Sequence, residues 1–153
     1  MAFRQTHQTP GSILTSTKVT VHEPIVNGTA KTVYIEQPKD TIVDNVFLRT
    51  VGDITLDAAV DVTFKFGNSS DDDRFVEAAT ILDGSDSQTL PNNSVFKFTI
   101  ADDDYANPGT PPASTGLLQS DNRVLEATIT SGAGDALPTA HGSIEIHVQF
   151  RHF

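Results

Sequence analysis

The sequence predicts an all-β fold: an antiparallel β-sandwich, jelly-roll-like, of about eight strands, with an extended N-terminal arm. Three observations predict it. The acidic residues are fifteen Asp against five Glu, and nineteen residues are Thr. Asp competes with helical backbone bonding and favours caps and turns, whereas Thr favours strands. Several segments alternate apolar and polar residues with period two, and the eight prolines fall between the segments that read as strands.

Taken in order, residues 1–17 are polar, contain Pro10-Gly11 and read as the arm; residues 18–153 read as one domain. Less regular strands are expected at Lys18–His22, Thr32–Glu36, Ile42–Val51 and Ile54–Leu56. The clearest alternation is Val60, Val62, Phe64 and Phe66 on one face with Asp61, Thr63 and Lys65 on the other. Phe96, Phe98 and Ile100 make a second such face, Leu125, Ala127 and Ile129 a third. Ile144, Ile146, Val148 and Phe150 make a fourth, opposed by Glu145, His147, Gln149 and Arg151. Such half-apolar strands suit antiparallel sheets packed face to face. Phe75, Ala78, Ala79 and Leu82 have helical spacing, but Val76, Thr80 and Ile81 are β-branched, so residues 75–82 read as a short helix or an irregular strand. Residues 101–122, with Asp102-Asp103-Asp104 and several prolines, read as a long loop, a length uncommon unless it serves a purpose.

Composition narrows the function. A chain of 153 residues is long enough for one domain that buries roughly 68–70% of its unfolded surface. Cysteine is absent, so there is neither a disulfide framework nor a thiolate metal site. The formal charge of −10 argues against nucleic acid and anionic membranes as partners. Met1–Thr6 lacks the basic and apolar regions of a signal peptide, and no long apolar run suggests a membrane span. The Asn27, Asn68 and Asn92 glycosylation patterns therefore read as turns.

Signals for chemistry are weak. Asp71-Asp72-Asp73, Asp83 with Asp86, and Asp102-Asp103-Asp104 lack the loop spacing of a calcium site and read as turn caps. His7, His22, His141, His147 and His152 show no helical metal spacing. Asp135, His141 and Ser143 have the residue types of a triad, but a Gly-rich hairpin often holds all three. Gly132-Ala133-Gly134-Asp135 precedes no helix, so it is not a phosphate-binding turn. Glu126 and Glu145 lie on polar strand faces, the position of solvated carboxylates; a glycosidase would need them facing each other. The expectation is a non-enzyme with no catalytic residue, cofactor or metal.

The stretches Val46–Thr50, Val62–Gly67, Asp73–Val76 and Ala78–Thr80 resemble small β-sandwich head proteins of tailed bacteriophages. So does the ending, Leu125–Gly132 through Thr139–Val148, where a Gly-rich loop leads into a final amphipathic strand. The resemblance covers residues 42–150 and identifies the chain with decoration (cement) proteins. It implies a homo-oligomer, trimer or dimer, on the capsid exterior of a virion, clamping neighbouring major capsid protein subunits. The N-terminal arm, through Phe3, Arg4, Ile13 and Leu14, is the expected capsid contact. A carbohydrate-binding module of a phage fibre or tail is the alternative, although such modules stack sugars on aromatics and here only Tyr34 and Tyr105 accompany nine phenylalanines, with no Trp.

Overall fold

A computed structural model of the chain describes residues 14–26, 29–39, 41–98, 100, 123–132 and 137–152. The long loop at 101–122 and most of the N-terminal arm lie outside these residues. Among those described there is no helix, and the elements are β1 (Leu14–Val21), β2 (Ala30–Gln37), β3 (Thr41–Leu56), β4 (Val62–Asn68), β5 (Asp71–Leu82), β6 (Thr89–Leu90), β7 (Val95–Phe98), β8 (Arg123–Ser131) and β9 (Pro138–His152).

Two antiparallel sheets form the sandwich. The first has the order β1-β9-β3-β6, with β7 also on β3, and the second has the order β2-β8-β4-β5. The pairing nests: β1 with β9, β2 with β8, β3 with β6 and β7, and β4 with β5 as a hairpin at the centre. A ribbon of four such antiparallel pairs, rolled so that successive pairs fall in opposite sheets, is the jelly roll. Among the described residues the strand count is nine rather than eight because β6 and β7 pair in succession with β3, at Ile54–Thr55 and Val46–Arg49. The turn Pro91–Ser94 separates them, held by Thr50, whose N–H donates to the Ser94 carbonyl and whose carbonyl accepts from Asn93 N–H, 2.9 and 3.0 Å.

All four alternating faces point inward. Val62, Phe64, Phe66, Leu125, Ala127, Ile144, Ile146, Val148 and Phe150 are fully buried, and Phe96 and Phe98 pack at their edge. Phe64 stacks on Phe98 at 5.1 Å, and Phe66 meets Phe75 at 5.8 Å. Each buried phenylalanine contributes on the order of 2–3 kcal/mol by leaving water.

Departures from the sequence reading have local causes. Residues 75–82 belong to β5; three register shifts against β4 break its alternation, so Phe75, Val76, Ile81 and Leu82 all reach the core. The resulting uneven spacing imitates a helical face. The two strands expected at 42–51 and 54–56 are one, bent by a bulge at Gly52, whose φ of 81° suits glycine. β1 starts at Leu14, so residues 14–17, read as arm, pair with β9. Pro138 is the first residue of β9, a strand position that does not require its missing N–H.

Candidate interaction face

The outer face of the first sheet is built by the polar residues of the same alternation. From β1 come Ser16, Lys18 and Thr20; from β9, Glu145, His147, Gln149 and Arg151; from β3, Asn45, Phe47 and Arg49; from β7, Val95 and Lys97. The register aligns them into rows. Lys18, His147, Phe47 and Lys97 form one row; Thr20, Glu145, Arg49 and Val95 form the next.

Glu145 is the hub. Although it points outward, its neighbours cover it to 8% exposure. Its carboxylate lies 3.0 Å from Lys18 Nζ, 3.7 Å from Arg49 Nη1 and 3.5 Å from His147 Nε2. The Lys18 hydrogen bond chiefly, with smaller help from His147 and against partial burial, holds the Glu145 carboxyl below its ordinary pKa. His147 lies flat on Phe47, ring centroids 4.4 Å apart at 7°. Its Nε2 is shielded from solvent and faces Glu145 Oε1 at 3.5 Å. Further along, Arg151 donates through Nε and Nη2 to one Asp44 oxygen at 2.8 and 2.7 Å, and Asn45 Nδ2 donates to Gln149 at 3.2 Å. Four lysines and arginines thus stand beside two carboxylates, a net positive face on a chain of charge −10. The Phe47–His147 stack beside Arg49 shares the aromatic and arginine content of protein-binding surfaces, whereas the lysines suit the rim of one.

The residues singled out in the sequence are dispersed. Leu14 opens β1 at 45% exposure, opposite Arg151; Phe3, Arg4 and Ile13 lie outside the described residues. Glu126 is on the outer face of the second sheet, so it and Glu145 stand on opposite sides of the sandwich. Ser143 meets His22 Nδ1 at 3.1 Å rather than His141, while Asp135 lies outside the described residues. His141 borders a cleft of about 240 Å³ with Glu23, Ile25, Val26, Leu137 and Pro138. His152 Nε2 contacts Thr15 Oγ1 at 3.0 Å. Asp72 pairs with Lys65, Asp71 lies 3.8 Å from Arg74, and Asp83 accepts from Ser85 N–H and Oγ–H. Among the described residues, no three His, Asp or Glu side chains converge as metal ligands. Tyr34 is 64% exposed on the second sheet, opposite Glu126 in the ladder, and Tyr105 lies outside the described residues.

Sequence reasoning missed this face because its rows join strands that lie from about 50 to about 130 residues apart in the chain. The available signal was Phe47, an aromatic standing at a polar position of β3's alternation.

No protein-family model matches the chain, and no curated protein sequence does. Among solved structures, the fold is similar to a chain titled "Cyanophage Pam1 capsid asymmetric unit", at 18% identity and a TM-score of 0.52, over 100% of this chain and 94% of that one. At that identity the likeness shows a common fold.

Proposed function

We propose that the chain is a structural protein of a virion, a head decoration protein that binds the exterior of a phage capsid and acts by association rather than catalysis. The observation that carries this reading is the fold likeness to a chain of a capsid asymmetric unit, which runs the whole length of this domain. The surface supports it: an exposed face with an aromatic centre and fixed charges is suited to holding a neighbour. Occupying the joints between major capsid subunits stabilises the assembled lattice by mass action, because the decoration protein binds the closed shell better than its separated parts. Contacts that are weak singly become strong when oligomeric copies bind several joints at once. The N-terminal arm, through Phe3, Arg4, Ile13 and Leu14, is the segment we assign to the capsid contact; Leu14, exposed at the sheet edge, is where it leaves the domain.

Cryo-microscopy of purified particles of the parent virus, with mass spectrometry of their proteins, tests the assignment. The expected result is density for this jelly roll on the shell exterior, in fixed ratio to the major capsid protein, and lost when residues 1–13 are deleted. Particles that lack the chain, or carry it only on tail fibres, would overturn it.

A further inference from the structure

One end of the sandwich gathers the β1–β2, β3–β4, β5–β6 and β8–β9 connections. Among the described residues its exposed carboxylates are Glu23, Asp57, Asp61, Asp83 and Asp86, joined by Asp53 from the β3 bulge. Neither lysine nor arginine occurs in these connections. Four of the carboxylates are fixed by backbone donors: Asp53 by Asn92 at 2.7 Å, Asp57 by Leu137 at 2.6 Å, Asp61 by Gly84 at 2.9 Å and Asp83 by Ser85 at 2.9 Å. A carboxylate so held has little side-chain freedom left to lose on docking.

The same molecule therefore presents a cationic face and an anionic end roughly at right angles, since the face lies along the strands and the end lies across their tips. We propose that the outer face of the first sheet binds the carboxylate-bearing end of a second copy of this chain. The contact joins unlike surfaces, so each copy has one of each to offer, and repetition closes into a ring when the rotation between copies allows it. Lys97 and Arg49 flank the Phe47–His147 stack and would meet the incoming carboxylates, while Val95, 62% exposed, provides an apolar rim. Three strands about 4.8 Å apart, each contributing about eight residues, with the four-residue β7 beside them, give a footprint on the order of 450 Å². That is below the roughly 800 Å² per partner of a standard interface, so the contact is weak in pairs and sensitive to salt. This inference rests on the oligomeric copies that the virion reading invokes, but it concerns the free chain in solution, so self-association and capsid binding can fail separately.

The test is sedimentation equilibrium and native mass spectrometry of the full chain at about 0.02 M and about 0.5 M salt. Association is expected at low salt and loss of it at high salt. Lys97→Glu and Asp86→Lys each weaken it at least about tenfold, and the chain carrying both recovers it. Circular dichroism confirms that each variant is folded; should either charge reversal unfold the chain, Lys97→Gln and Asp86→Asn replace them with the same expected direction. A chain that stays monomeric at low salt overturns the proposal. So does an oligomer indifferent to salt and to both substitutions, or a double variant that does not reassociate. A chain that is monomeric alone yet binds isolated capsids through Lys97 shows a different occupant and overturns it as well.

Discussion

Replacing Gly142 with alanine tests whether the bulge between β3 and β9 is as rigid as its geometry implies. The ladder steps from Val51 opposite Ser143 to Ile54 opposite His141, leaving Gly142 against Gly52 and Asp53. A Cβ at Gly142 would lie 2.5 Å from the Gly52 carbonyl oxygen and 2.8 Å from that of Asp53. Ordinary contact begins near 3.4 Å, so the backbone opposite must retreat by about 0.9 Å. No side chain can rotate away, because both atoms belong to the main chain. Forcing a methyl into such a site costs roughly 1–3 kcal/mol, offset by about 0.4–1 kcal/mol from the stiffer unfolded chain. The net loss is about 1–2 kcal/mol, and at 2–4 °C per kcal/mol for a domain of this size the Tm falls by roughly 2–8 °C. Differential scanning calorimetry, with urea unfolding to check that the m-value is unchanged, measures it. Gly132→Ala is the control: its nearest neighbour is Asp61 O at 3.3 Å, so the expected change is within about 0.5 kcal/mol. A Gly142→Ala protein that melts with the wild type, or above it, would refute the reasoning and show the bulge to be soft.

Phe150→Ala removes a fully buried ring from the central strand of the first sheet and is expected to cost about 3–5 kcal/mol by urea denaturation. Because Lys18 chiefly lowers the Glu145 pKa from its ordinary 4.5, the stability Glu145 contributes is fully present above that value and is lost as pH falls through the lower folded value. Wild-type urea midpoints should therefore decline more steeply below about pH 4.5 than those of Glu145→Gln, and equal slopes would count against the pairing. Asn68→Ala removes the acceptor for Ser70 and Asp71 N–H at the β4–β5 turn, an expected loss of about 1–2 kcal/mol read from thermal melts. Tyr34→Ser, at 64% exposure, should leave stability within about 0.5 kcal/mol; if it abolishes binding on a glycan array, the carbohydrate reading gains over the capsid one.

Where one strand's own alternation decides which side is buried, the sequence was readable. β4, β8 and β9 show this: Phe64, Ile129 and Ile146 sit inward because every second neighbour is apolar too. β5 was ambiguous because bulges, whose positions depend on β4, put Phe75 with Val76 and Ile81 with Leu82 side by side in the core. The continuity of β3 across Gly52 was invisible for a related reason: a glycine between two short apolar runs reads as a turn, and only the β9 ladder on the far side carries the strand through. The interaction face is the extreme case. Lys18, Phe47, Lys97 and His147 become neighbours only through three strand pairings, and nothing local to any of them signals the others.

The nested pairing also sets a timetable for synthesis. β9 lies between β1 and β3, so the first sheet has no centre until residues 138–152 have left the ribosome. Until then β1 and β3 have apolar faces and open edges but lack the strand that joins them, while the β4–β5 hairpin can already close. Refolding should accordingly be slow, as for other folds dominated by distant contacts. A nascent chain stalled before β9 would be the form most exposed to aggregation.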